Sequence, residues 1–126
     1  MVIITENPPD PGKSYELLKK KDSGSVIFHY AAVKSQAGDR QTSGIQFIRN
    51  GDMESELSGI EADIRNRWNV NDVLIVRRIG VLHIGDLISL VAVSSPSSDD
   101  AFEACRYGLG RIRNMRGLKK TELYLD

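Results

Sequence analysis

The chain has 126 residues, with 17 basic and 17 acidic side chains and a formal net charge of zero. A chain of this length removes about two-thirds of its surface from water on folding, which is sufficient for one compact domain spanning residues 1–126. The hydrophobic share of 40% and the charged share of 27% exclude a disordered tail or a collagen-like fibre. Zero net charge argues against a surface that is basic throughout, so any basic site must be local.

The location of the protein is predicted from what the sequence lacks. Cys105 is the only cysteine, which excludes an internal disulfide. The sequence has no basic-then-apolar leader and no apolar run of the roughly 18 residues that a membrane span needs. We therefore expect the protein in the cytoplasm, without a membrane partner.

The N-terminal part is predicted to alternate strands with a short helix. β-Branched residues indicate strands, and the prolines and glycine that follow the first strand cannot continue it. The predicted elements are a strand at 2–5, a helix from Pro11 or Ser14 to Lys21, a strand at 25–33, a polar loop at 35–40 and a weaker strand at 45–48.

The next segment has apolar residues at the spacing of a helix face. They are separated by four, three, four and four residues, which lines one side of an amphipathic helix. These residues are Met53, Leu57, Ile60, Ile64 and Trp68. Asp52 directly precedes them and is a suitable N-cap.

Residues 73–95 are mostly apolar, and Gly80 and Gly85 divide them into two or three strands. The first two of these strands are predicted to form a hairpin. Together with the preceding elements they predict an α+β fold, with helices packed on a largely antiparallel or mixed sheet. The strand order is not determined by this pattern.

A last helix is predicted after Pro96. Ser97 is expected to cap it in a capping box with Asp100, and Gly117 is expected to close it. Its buried stripe is predicted at Ala101, Phe102, Cys105, Leu109 and Ile112. A final strand at 121–125 and an extended tail are equally compatible with the sequence that follows.

Basic side chains are concentrated near the C-terminus. No acidic residue lies between Glu103 and Glu122, whereas that interval contains six cations, Arg106, Arg111, Arg113, Arg116, Lys119 and Lys120. Lys119 and Lys120 are expected in an exposed loop. The segment is interpreted either as an anion-binding site or as cations that stabilise a helix C-terminus and otherwise face water, and the pattern leaves both open.

Other chemistry-bearing residues give weaker signals. His29 and His83 have no partner at metal-ligand spacing, so no metal or cofactor is expected. Cys105 lies on the predicted apolar stripe and is expected to be a buried, unreactive thiol. Gly108 and Gly110 lie within a helical pattern and indicate close helix packing, not a phosphate loop.

Three segments carry a resemblance to a known family: RRIGVLHIGD at 77–86, LVAVSSPSSDDAFEACRY at 90–107 and LKKTE at 118–122. Their order and spacing resemble the patterns R-I-G-x-L-x-x-G-[DE], V-x-V-x-[SA]-x-H-R-x-x-A-F-E-A and W-K-[KR]-E of the MoaE family, the large, catalytic subunits of molybdopterin synthase. A looser match extends over 24–34. The resemblance implies an α+β fold of the α/β-hammerhead kind with an additional antiparallel β subdomain.

The resemblance also implies a reaction, a sulfur transfer in molybdenum cofactor biosynthesis. A homodimer of the large subunit binds two copies of a small, ubiquitin-like, MoaD-like sulfur carrier and forms a heterotetramer. The C-terminal Gly-Gly thiocarboxylate of the carrier delivers sulfur to cyclic pyranopterin monophosphate, which becomes the dithiolene of molybdopterin. Because both reactants are anions, cations at the site would offset the cost of desolvating them.

Site residues follow from the resemblance position by position. The implied catalytic residues are Lys120, which corresponds to the catalytic lysine, and Arg113, which replaces a helix lysine and keeps its charge without the ability to act as a free amine. Ser97 and Ser98 replace a His-Arg pair. The implied substrate-binding residues are Ala32, Val33, Lys34, Ser97, Ser98, Lys119, Thr121 and Glu122, and no metal ligands are implied.

Two alternatives to this enzyme are left open by the sequence. The first is a non-catalytic member of the same family that keeps the dimer and the carrier-binding surface. The second is a small nucleic-acid-binding α+β domain that uses the basic C-terminal segment. It is less favoured, because only Tyr107 and Tyr124 are near that segment to stack on bases.

Overall fold

The computed structural model describes residues 1–125, and Asp126 lies outside that range. Within it there are three helices and eight strands, and the predicted α+β class is confirmed. They are β1 (Val2–Thr5), α1 (Pro11–Leu18), β2 (Ser25–Ala32), β3 (Gln36–Ala37), β4 (Arg40–Arg49), α2 (Met53–Arg67), β5 (Asp72–Arg78), β6 (Gly80–His83), β7 (Leu87–Ser95), α3 (Ser98–Arg113) and β8 (Leu118–Tyr124). None of the helices in residues 1–125 is long and apolar enough to cross a membrane.

The first sheet has the strand order β1-β5-β7-β2 and is mixed. β1 runs parallel to β5, and the other two pairings are antiparallel. Helices cover both faces, which is why β5 and β7 are apolar along most of their length. Ile75 and Val93 face α2 and α3, whereas Leu74 and Ala92 face Leu18 of α1.

The second sheet is built around the long strand β4, which pairs antiparallel with β3, β6 and β8. It agrees with the additional antiparallel subdomain that the resemblance implies. Val33, Ile45, Phe47 and Leu82 form its small buried cluster. The loop predicted at 35–40 is wrong in part, because β3 forms there and β4 already begins at Arg40.

The hairpin predicted at the start of 73–95 is also wrong. β5 pairs with β1 and β7 in the first sheet, whereas β6 pairs with β4 in the second. Gly80 lies where the chain passes between the sheets, with a φ of +99° that other residues rarely adopt. The strand boundaries were predictable here, but the pairing depended on a distant strand.

Helix α2 forms as predicted. Oδ1 of Asp52 accepts a hydrogen bond from the backbone N–H of Ser55 at 3.0 Å, which confirms the N-cap. Four residues of the predicted stripe are buried and Trp68 is partly buried against the same cluster. Helix α1 is shorter than predicted and ends at Leu18.

Helix α3 departs from the prediction at three points. Oγ of Ser97 caps it by accepting from the N–H of Asp100 at 3.3 Å, but there is no capping box, because the N–H of Ser97 donates to Ser95. The helix ends at Arg113, before Gly117. Phe102 is 54% exposed, and the buried stripe contains Ala104 and Gly108 in addition to Ala101, Cys105 and Ile112.

Candidate active site

A groove opens where the two sheets and the C-terminal end of α3 meet. It has two adjoining parts, of about 340 Å³ and about 320 Å³. Ile45, Ile88 and Lys120 line both parts, so Lys120 lies at the boundary between them. The register between β2 and β7 shifts between Ala31 and Ala32, where Ile88 is an extra residue in β7, and Ala31 lines the first part whereas Ala32 lines the second.

Lys120 reaches this groove because it is a strand residue. The exposed loop predicted for Lys119 and Lys120 is wrong, since both lie in β8. Because side chains alternate along a strand, Lys120 and Glu122 lie on the same face of β8. Their register partners in β4 are the buried residues Phe47 and Ile45, respectively. Lys119 and Thr121 point to the other face and do not line either part of the groove in the described chain.

Lys120 and Glu122 form an ion pair beside the second part of the groove. Nζ of Lys120 lies 3.3 Å from Oε1 of Glu122, while the lysine side chain is 58% exposed. Oε2 of Glu122 is buried, with no hydrogen-bond partner among residues 1–125. The pair fixes the lysine at the boundary without closing it off from an incoming ligand.

Two further cations arrive from other elements. Arg113 is the last residue of α3 and lines the first part, and Lys34 follows β2 and lines the second. Both are exposed, and neither pairs with a described carboxylate. Folding therefore brings Lys34, Arg113 and Lys120 to one groove, as the anion-site interpretation requires.

The rest of the basic C-terminal segment faces elsewhere. Arg111 pairs with Asp63 and Tyr107 on the surface between α2 and α3, and this pairing lowers the pKa of Asp63. Arg106 and Arg116 line neither part of the groove within residues 1–125. The six cations therefore do not form one continuous basic patch, which weakens the nucleic-acid alternative.

Arg77 is the groove residue that the sequence interpretation missed. Its side chain is 8% exposed, lines the first part and lies 4.3 Å above the ring of Phe47. Burial lowers the pKa of its guanidinium to about 10. A signal was present in the sequence, because Arg77 lies two residues after Ile75 and therefore on the same face of β5 as this apolar residue.

The expected serine pair is not part of this groove. Ser97 and Ser98 lie at the N-terminal end of α3, and Arg113 lies at the other end of this 16-residue helix. A helix of that length spans about 24 Å, so the serines of the same chain cannot contact a ligand held by Arg113. Of the other expected binding residues, Val33 is buried in the core of the second sheet.

The remaining candidate residues, the cysteine and the two histidines, do not line the groove in the described chain. Cys105 is buried, as predicted, and burial raises the pKa of its thiol to about 11. Nδ1 of His29 is buried without a described partner, and His83 is exposed beside Asp86. Residues 1–125 contain no group of three or more His, Cys, Asp or Glu side chains that could hold a metal ion.

The fold and the groove define a class of protein, an α+β domain that gathers cations where a mixed sheet meets an antiparallel one. The family model described as "MoaE protein" matches residues 4–115. The chain belongs to the MoaE family.

Individual relatives agree with this assignment. The chain is 40% identical to the molybdopterin synthase catalytic subunit of Staphylococcus carnosus, covering 98% of this chain and 83% of the relative. The solved structure of molybdopterin synthase from Staphylococcus aureus superposes with a TM-score of 0.90 at 29% identity, covering 98% of this chain and 91% of that one. A third match is a chain in the complex of subunits 1 and 2 of molybdopterin-converting factor from Helicobacter pylori, with a TM-score of 0.74 over 99% of this chain and 90% of that one. At 12% identity, this match shows similarity of fold alone.

Proposed function

We propose that this chain is the catalytic subunit of a molybdopterin synthase, an enzyme of molybdenum cofactor biosynthesis. It transfers sulfur from the thiocarboxylated C-terminus of a small ubiquitin-like subunit to cyclic pyranopterin monophosphate. The observation that carries the proposal is the convergence of Lys34, Arg113 and Lys120 on one groove, in a chain of the MoaE family. The cytoplasmic location stays a prediction.

The charge of the groove suits two anionic reactants. Among residues 1–125, four cations line it, Lys34, Arg77, Arg113 and Lys120, against one carboxylate, that of Glu122. Fixed positive charge in a partly enclosed site stabilises negative charge more strongly than water does, because nothing has to reorient when the reaction occurs. A phosphate and a thiocarboxylate can therefore lie close together despite their mutual repulsion.

Lys120 is the proposed catalytic residue. It lies at the boundary between the two parts, where a sulfur donor in one part meets an acceptor in the other. Its ammonium can orient the thiocarboxylate or exchange a proton with the reacting oxygen. A guanidinium cannot serve as a free amine, and Arg113 is proposed to hold the phosphate as a fixed charge.

The size of the groove fits this division of roles. Ligand pockets usually measure roughly 300–1,000 Å³, and each part is near the lower end of that range, at about 340 and 320 Å³. We propose that one part takes the pterin and that the other takes the Gly-Gly end of the carrier, which has no side chains to accommodate.

The homodimer and the heterotetramer belong to the proposal. Because Ser97 and Ser98 lie about a helix length from Arg113, they can serve a groove of this kind only from a second copy of the chain. Lys119 and Thr121, on the outer face of β8, are proposed to contact the carrier and not the pterin. A monomeric mass in solution would contradict this assembly.

The proposal is tested by incubating the purified chain with thiocarboxylated carrier and cyclic pyranopterin monophosphate. We expect the dithiolene product from the unchanged protein and none from Lys120→Ala, because no other lysine lines the first part of the groove among the described residues. Lys13→Ala is the control and should retain turnover, since Lys13 is an exposed lysine of α1 that lines neither part of the groove in the described chain. Carrier binding without product in the unchanged protein would favour the non-catalytic family member.

A further inference from the structure

Arg77 is a buried cation whose guanidinium meets no acceptor. The side chain is 8% exposed, and its Nε is fully enclosed without a hydrogen-bond partner. Within residues 1–125 no carboxylate or carbonyl contacts any of its nitrogens, and its one polar contact is the ring of Phe47. A charge removed from water without a partner is costly, so its presence here requires an explanation.

The next residue shows that this strand can satisfy a buried arginine. Arg78 is equally buried at 8%, and its Nε also lacks a partner. Its Nη atoms, however, donate to the carbonyls of Leu87 at 3.0 Å and Glu6 at 2.9 Å. Arg78 holds β1 and β7 to the end of β5, a structural role that Arg77 on the opposite face does not have.

The surroundings of Arg77 are open on one side and free of acid. It lines the first part of the groove together with Arg113 and Lys120, and no acidic residue lines that part within the described chain. Phe47 covers one face of the guanidinium plane. The Nη atoms, which have no described partner, are left to donate into the groove.

We propose that Arg77 is a binding residue for an oxyanion of the substrate, a phosphate or a carboxylate, which supplies the missing acceptor when it enters the first part of the groove. A planar guanidinium fork fits both groups through paired hydrogen bonds. The identity of the ligand rests on the proposed function, but the binding of an oxyanion does not. Arg77 would then be the innermost of three cations that hold one anion.

The first measurement separates a binding role from a structural one. Arg77→Met removes the charge and keeps an unbranched side chain. Without added anion, we expect its urea midpoint to equal or exceed that of the unchanged protein, because an unpaired buried charge has been removed. Arg78→Met is the matched control and should lower the midpoint, because it loses two hydrogen bonds to carbonyls. An equal loss in both variants would overturn the proposal.

The second measurement is binding of simple anions to the intact chain by calorimetry, at constant ionic strength. The probes are inorganic phosphate and a peptide that ends in Gly-Gly with a free carboxylate, with the amidated peptide as its control. For at least one probe, Arg77→Met should weaken binding by about tenfold or more. Loss for phosphate alone assigns Arg77 to the pterin phosphate, and loss for the peptide alone assigns it to the carrier. Unchanged affinity for both probes would overturn the proposal.

Arg77→Lys provides a further variant in case Arg77→Met does not fold. Arg77→Lys keeps the positive charge but not the planar guanidinium, so its anion affinity should fall between those of the unchanged protein and Arg77→Met.

The anion-binding measurement does not depend on the synthase assay. Anion binding that depends on Arg77 in a protein without turnover would reject only the proposed function. Turnover and anion affinity that are both insensitive to Arg77 would reject only this inference.

Discussion

The two sheets of this protein differ in what covers them. The first is enclosed by helices on both faces, and Val73 and Val91 in its central strands are fully buried. The second is covered on one face only, and its strands expose Ile48 and Val81 on the other. The groove lies where the covered sheet ends and the open one begins.

This difference shows where the chain tolerates unpaired charge. In the first sheet the α1-facing arginine, Arg78, is tied to backbone carbonyls, as a closed core requires. At the junction Lys34, Arg77 and Arg113 remain without described anionic partners. We therefore expect stability to depend mainly on the first sheet and ligand binding to depend on the junction.

A cavity in the core of the first sheet should have the largest effect on the free energy of unfolding. Ile75→Ala removes a fully buried side chain between α2 and α3. We expect a loss of about 2–5 kcal/mol in the free energy of unfolding, because a closed core collapses only partly around a cavity. Urea denaturation measures this loss.

Val81→Ala in the second sheet is the matched control for that cavity. Its side chain is 49% exposed, so the change in the free energy of unfolding should stay within about 0.5 kcal/mol. Equal losses in the two variants would show that the sheets contribute alike to stability.

The two glycines of α3 provide a second comparison, between a closely packed and an open position, with a smaller expected effect on stability. A Cβ on Gly108 would lie 3.0 Å from Cγ1 of Val91 and 3.1 Å from Cδ1 of Ile64, whereas one on Gly110 would meet nothing within 4 Å. Gly108→Ala should lose about 1 kcal/mol, since overpacking exceeds the gain in helix propensity. Gly110→Ala should gain up to about 1 kcal/mol. Thermal unfolding of both variants gives the sign, and stabilisation by Gly108→Ala would contradict the close packing.

Much of the fold could be predicted because it depends on local chemistry. The stripe of α2, its Asp52 cap and the end of β7 before Pro96 follow from spacing and side-chain type alone. The pairing of β6 did not follow, because its partner β4 lies on the other side of α2 in sequence. Phe102 was misplaced for a related reason, since apolar character does not reveal which turns of a helix a neighbour covers.

The site was predictable only in part. The resemblance identified Lys34, Arg113 and Lys120, and folding brings them together. The predicted helix from its Ser97 cap to Gly117 already separated the serines from Arg113, so the sequence itself indicated that one chain cannot bring them to the same ligand. Arg77 was missed because an arginine at the end of an apolar strand does not show whether a partner meets it: Arg78 beside it donates to two backbone carbonyls, and Arg77 has no described acceptor.

Lys120→Ala, the change that should abolish turnover, is expected to have only a small effect on stability. The lysine side chain is 58% exposed, but Glu122, its described ion-pair partner at 3.3 Å, is 15% exposed and loses this counter-charge, so the free energy of unfolding should fall by about 1 kcal/mol. Glu122→Gln alone and the double variant complete the cycle, and a coupling energy of about that size would agree with a half-buried pair. A loss of several kcal/mol on removal of Lys120 would mean that this lysine supports the second sheet, and that missing turnover reports misfolding and not chemistry.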